Sequence, residues 1–268
     1  MIPFFRKIRK KLADDNKPLK YMKYAIGEII LVVIGILIAL QVNNWNNDRI
    51  NKKRVEAYSK SLIQDISNDI EMISVSQFQA KKSFEKIDSL RNYLSSADPA
   101  HLSNTDLYIL THDIMYRPYK WNRSTLDEMK NSEILQYFEN DSLKKMLIEY
   151  ESFSYHLDED FKGDQSNANR ADEIVTEILD LNNPYFSQIN VLEIDRFNDP
   201  DLNLFETEIY KKSKDNDLNL VRYEEEYLKK FINIFIQIQV SYRVRAFEEM
   251  DEIKENANEI IKLLKNEF

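Results

Sequence analysis

The side chains able to do chemistry in this 268-residue chain are dispersed. His101, His112 and His156 stand far apart, with neither an HExxH nor a His-x-His spacing. His156 with Asp158 and Asp160 has the composition of a metal site, but on a charged helix face such groups are ordinarily solvated. Asp215, Asp217, Asn219 and Glu226 fit positions one, three, five and twelve of a calcium loop. The sixth position, which needs glycine for a sharp turn, holds Leu220. There is no phosphate loop, no dinucleotide fingerprint and no G-x-S-x-G elbow. The chain has no cysteine, which excludes disulfides, thiolate chemistry and thiolate-bound metals. Its 46 acidic residues supply many carboxylates, yet no spacing sets two of them in a pocket. These residues predict a non-enzyme with no catalytic group, no metal and no cofactor.

One segment could bind a ligand. Tyr116, Arg117, Tyr119, Lys120, Trp121 and Arg123 form the densest aromatic and basic cluster beyond residue 50. Rings stack on planar groups, and guanidinium and ammonium groups pair with anions, so a glycan, a peptide carboxylate or a polyphosphate would suit it. The competing reading is a packed corner, with Trp121 and the tyrosines buried against long helices.

The elements that would position these residues are helical. Three glycines and six prolines are too few for a sandwich or an α/β enzyme. Between residues 46 and 95 there is neither, and Val55, Tyr58, Leu62, Ile66, Ile70, Ile73, Phe84, Ile87, Leu90 and Leu94 recur at helical spacing. Pro99 ends that helix. A short helix is expected over 104–115. Ser124 and Asp127 resemble a capping box opening another. A third, longer helix should start with Asp141 or Ser142 as its cap and weaken around Gly163, a kink or short break. Residues 182–203 read as irregular. Asp201-Leu202-Asn203-Leu204 recurs as Asp217-Leu218-Asn219-Leu220, each copy capping a following helix. The last helix spans about 220–264. From Leu228 through Phe231, Phe235, Ile238, Tyr242, Ala246 and Met250 to Ile253, its apolar positions follow bundle spacing. The predicted fold is all-α: an antiparallel bundle of three long helices with short crossing ones.

All of it hangs on residues 24–45. Ile29 to Asn47 carry no charge, and Tyr24 to Trp45 would span roughly 31 Å as a helix, the thickness of a bilayer core. Residues 1–23 hold eight of the 37 basic residues and two of the acidic ones, leaving 29 basic against 44 acidic beyond. The positive-inside rule then puts the N-terminus in the cytoplasm and the 46–268 domain outside, in the periplasm of a bacterium. Tyr21 and Tyr24 would anchor the inner interface and Trp45 the outer. Ala39-Leu40-Gln41 is a poor cleavage site, which favours an uncleaved anchor over a signal peptide. Phe4, Phe5, Ile8 and Leu12 share a face among basic residues. That pattern is either an amphipathic helix on anionic headgroups or a charge cluster that only sets topology. Gly27, Gly35 and Ala39 would let a second helix approach, either another copy or a partner. Glu28, one turn inside, either meets such a partner or snorkels to the interface. The acidic exterior disfavours nucleic acid.

The run from Tyr24 to Asn46, YAIGEIILVVIGILIALQVNNWN, after its basic Phe-Phe-Arg-Lys start, resembles a family of bacterial single-pass inner-membrane proteins of unknown function. Tyr116-x-Pro118 and Ser124 to Ser132 resemble it too, though Glu133 stands where that family carries glycine. The resemblance implies an inner-membrane anchor with a helical extracytoplasmic domain, makes Gly27 and Glu28 part of the recurring span, and implies no activity. The combined expectation is an envelope scaffold, sensor or accessory subunit acting through helix–helix contacts. The alternative is a periplasmic ligand-binding domain.

Overall fold

The computed structural model describes residues 18–195 and 202–266, with side chains over 22–193 and 202–266. The amphipathic stretch expected at 4–12 and the Tyr21 side chain lie outside the described residues. Every regular element among the described residues is helical.

Helix α1 runs from Pro18 to Ser96 without interruption, 79 residues or about 118 Å. It has two halves. From Met22 to Ile50 its large apolar side chains are exposed, Leu31, Val42 and Trp45 among them. From Val55 onward one stripe is buried: Val55, Ser59, Leu62, Ile66, Asp69, Ile73, Ser76, Ala80, Ser83, Ile87 and Leu90. The steps alternate fours and threes, the 3.5-residue period of helices that stay in mutual contact.

The short elements correct several expectations. Helix α2, Asn104–Thr111, ends before Met115: His112 is extended and Asp113 is left-handed at φ 53. Its start is closed by Ser103 and by Asp217, whose carboxylate accepts from Thr105 N at 2.8 Å. The second Asp-Leu-Asn-Leu copy therefore caps an earlier helix, not the one that follows it. In the first copy Asn203 caps a 3-10 turn, Leu204–Glu206, and Thr207 caps helix α6, Glu208–Asp215. Helix α3, Ser124–Asn131, has no capping box; Arg123 precedes it without a side-chain cap, and Thr125 instead donates to Asp65. Glu133 after it is left-handed at φ 57, the conformation glycine adopts freely. Helix α5, Phe186–Asp195, lies in the stretch read as irregular. It is short; Phe186, Ile189 and Glu193 are buried and Leu192 packs partly against the core.

Helix α4, Asp141–Ile178, is capped by Asn140 rather than Asp141 or Ser142, because the Asn140 side chain accepts from Leu143 N. It passes through Gly163 unbroken. The buried positions keep their period across that glycine, from Leu157 to Asp164 to Ala171. Helix α7 begins at Glu225, not Leu220, because Val221 N first donates to Ile178 O and ties down the end of α4.

Helix α7, Glu225–Val244, leads through a π-turn, Arg245–Glu249, into α8, Met250–Asn266. The spacing explains the turn. Ile238, Tyr242, Ala246 and Met250 are three successive steps of four, all buried. A regular helix would rotate that row off the core; one extra residue in a widened turn keeps it there. Both α7 and α8 pack against α1 and α4.

Candidate functional site

Residues 112–123 connect α2 to α3 and run along α1 as irregular chain between the two short helices. Pro118 bars helix there and restricts Arg117. Such a segment needs partners for its backbone, and α1 supplies them from polar residues on and beside its buried stripe. Lys86 donates to His112 O, Gln79 Oε1 accepts from Arg117 N at 2.6 Å, and Ser76 Oγ donates to Arg117 O at 3.1 Å. Further back, Asp69 accepts from Asn122 N at 2.9 Å and from Tyr150 OH at 2.9 Å. Two of the polar residues in α1's core-facing stripe, Asp69 and Ser76, are thus explained by the segment they hold.

The side chains of that segment point in different directions. Tyr116 is buried, edge-on to Phe161 and Tyr242 at ring distances of 5.4 and 5.2 Å. Tyr119 is buried beside it. Trp121 Nε1 donates to Asp158 Oδ1 at 2.8 Å. Arg123 pairs with Asp158 Oδ2 at 2.8 Å, donates to Ser154 and lies 4.0 Å over the Tyr155 ring. Only Arg117 and Lys120 of the six face solvent. The cavity behind Trp121 and Arg123 measures about 10 Å³, at most one water. Tyr116 and Tyr119 are buried and Trp121 is half-buried, so most of the aromatic surface of this segment is taken up by packing.

Tyr116 leads inward to a second cluster that the sequence did not reveal. Its hydroxyl donates to Asp164 Oδ2 at 2.7 Å. Asp164 is buried on α4. Burial pushes its carboxyl above the usual range, against the opposing pull of Tyr116 and Arg245. Arg245, the first residue of the π-turn, reaches Asp164 at 3.3 Å, Asp160 Oδ1 at 2.9 Å and Glu249 Oε2. His156 lies on the outer side, 3.1 Å from Asp160 Oδ2 and 3.5 Å from Glu249 Oε1. Of the group considered from sequence, Asp158 is turned to Arg123 and Trp121, and Glu249 takes its place. The signal for this was the three successive steps of four, which mark the extra residue that brings Arg245 and Glu249 to α4.

In the apolar half of α1, Gly27, Gly35 and Ala39 are exposed, and a Cβ built on either glycine would meet nothing within 4 Å. Glu28 is half-buried. Tyr24 and Trp45 are exposed, with the Arg49 guanidinium 6.0 Å from the Trp45 ring. Among the described residues α1 is the one helix long and apolar enough to cross a membrane, and none of its apolar window is covered by the rest of the chain.

No curated protein and no solved structure matches the chain. Residues 28–98, from the membrane-length stretch of α1 through its buried half, match the model of a family of unknown function, DUF6090.

Proposed function

We propose that this protein is a single-pass bacterial inner-membrane protein. Residues 1–23 would lie in the cytoplasm, 24–45 in the bilayer, and 46–268 in the periplasm as an antiparallel helical bundle. The continuity of α1 carries the reading. An apolar segment of membrane length, uncovered by the other described residues, passes without a break into a helix whose stripe from Val55 to Leu90 lines a protein core. A cleaved signal peptide would need its cut in the middle of that helix. Pairings along the last helix support the antiparallel arrangement: Gln77 meets Ala246, whereas Phe84, further along α1, meets Gln239.

Within the envelope we assign it a non-enzymatic role as scaffold, sensor or accessory subunit, with the bilayer and a second helix as its partners. The buried carboxylates of Asp69 and Asp164 accept hydrogen bonds from Asn122, Tyr150, Tyr116 and Arg245, which is a structural use that holds the connecting segment and the last helix in place. A ligand site at Tyr116 to Arg123 has less support, since most of its aromatic surface is taken up by packing.

The absence of native cysteine makes the topology directly testable. Ser96→Cys and Lys11→Cys in the full-length protein should behave oppositely toward a membrane-impermeant maleimide. With the outer membrane permeabilised, the first should react in intact cells and the second only after lysis. The reverse pattern, or release of the protein by alkaline carbonate, would overturn the assignment.

A further inference from the structure

We propose that His156, Asp160 and Glu249 bind one divalent transition-metal ion of the zinc class, joining α4 to the π-turn of the last helix. One ligand atom from each of the three side chains lies within 4.8 Å of the other two. His156 Nε2 is 3.1 Å from Asp160 Oδ2 and 3.5 Å from Glu249 Oε1. Bonds of about 2.0 Å to a tetrahedral ion give ligand–ligand edges of about 3.3 Å, which the two imidazole–carboxylate distances already match to within about 0.2 Å.

Arg245 sets this geometry. It takes the far oxygen of each carboxylate, Asp160 Oδ1 and Glu249 Oε2, and leaves the near oxygens turned toward the imidazole. Outer hydrogen bonds of this kind orient ligands in metal sites. The Phe153 ring stacks on the imidazole at 5.7 Å and 17° and fixes its plane.

A separate observation points to a missing ligand. Asp160 Oδ2 is buried and makes no hydrogen bond of acceptable geometry among the described residues, not even to the imidazole 3.1 Å away. Buried carboxylate oxygens are rarely left so. The local charge has the matching sign. Asp160, Asp164 and Glu249 face one arginine, which leaves two negative charges for a divalent cation to balance. His156 is 53% exposed, against 21% and 16% for the two carboxylates, so an ion has a route from solvent.

The π-turn is what makes the site. With one residue fewer, Glu249 would sit about 100° around the helix and miss α4. One imidazole and two carboxylates suit zinc, cobalt, nickel, manganese or iron(II); the nitrogen disfavours calcium and magnesium, and the lack of sulfur disfavours copper(I). Three protein ligands leave a position for water.

The test uses the full-length protein in mild detergent, stripped by a chelator and titrated with zinc and then cobalt. One equivalent should bind with a micromolar or lower Kd, cobalt should develop visible absorption bands, and Tm should climb with metal concentration. His156→Ala and Glu249→Gln should each weaken binding by about 100-fold, beyond most outer-shell changes. His156 is exposed enough that its alanine variant should fold, which circular dichroism checks. His101→Ala is the control, because His101 also lies 3.1 Å from an aspartate, Asp98, but has no third ligand. Full binding in that variant is expected. No saturable binding up to about 1 mM, equal binding by His156→Ala, or loss in His101→Ala would overturn the proposal.

Discussion

The Gln77 side-chain amide donates to the Ala246 carbonyl at 2.6 Å, in the core between α1 and the π-turn. The same amide reaches Asp251 Oδ1 at 2.8 Å, and the Gln77 oxygen accepts from Lys254. A widened turn moves carbonyls off the regular ladder, and one that is buried needs a donor. Gln77 is that donor. It connects the long helix α1 to the turn that carries Arg245 and Glu249.

Replacing Gln77 with Leu should therefore cost about 2–3 kcal/mol, since a buried carbonyl and the Asp251–Lys254 pair lose their partner together. Gln77→Glu should remain destabilised, because it keeps an acceptor where a donor is required. Urea midpoints at constant slope measure both. A leucine variant within about 0.5 kcal/mol of the parent would mean that the carbonyl is satisfied some other way.

Tyr116 and Tyr119 are neighbouring buried tyrosines with opposite expectations. The Tyr116 hydroxyl donates to a buried carboxylate, and Tyr116→Phe should cost about 1.5–3 kcal/mol. The Tyr119 hydroxyl is buried without a hydrogen bond of standard geometry among the described residues. Tyr119→Phe removes a polar group that gains nothing from burial, so it should be neutral or stabilising. Chemical denaturation of the two variants side by side decides it, and equal losses would refute the contrast.

Asp69 should make stability fall as pH rises. Burial pushes its carboxyl above the ordinary aspartate range, and the hydrogen bonds from Asn122 and Tyr150 only partly offset that. The folded chain then keeps this proton to higher pH than the unfolded chain. The resulting stabilisation is complete below the unfolded value, about 3.9, and is lost as pH climbs through the folded one. Upward from about pH 4, the parent should weaken relative to Asp69→Asn, by at most about 1.4 kcal/mol per pH unit for one proton. Parallel stability curves for the two proteins would remove Asp69 as the titrating group.

Periodicity made the long helices legible. Val55 to Leu90 and Leu143 to Ile178 keep steps of three and four, and both run buried as that period requires. Caps were off by a residue where neighbours compete: Asn140, Asp141 and Ser142 can all accept from a helix start, and register chose Asn140. Helix α5 escaped because its 10 residues make too short a pattern. Glu249 could not be set beside His156, because α4 and the last helix meet only in the folded core. The one trace was the run from Ile238 to Met250, whose extra residue looks like ordinary bundle spacing until the turn that absorbs it is seen.

Gly163 and Glu133 are each the less favourable residue for the backbone they occupy, which yields a pair of stabilising changes. Gly163 lies inside α4, exposed, with nothing within 4 Å of a built Cβ. Gly163→Ala should stabilise by about 1 kcal/mol through helix propensity. Glu133 is left-handed at φ 57, where a β-carbon crowds the backbone, and Glu133→Gly should gain about 1 kcal/mol. The two positions lie on separate elements, so the double variant should show roughly the sum. The signs are diagnostic. Were α4 broken at Gly163, alanine would fail to stabilise; were Glu133 in ordinary right-handed backbone, glycine would destabilise by lost chain entropy. Urea midpoints of the two single variants and the double read out both backbone conformations without a crystal.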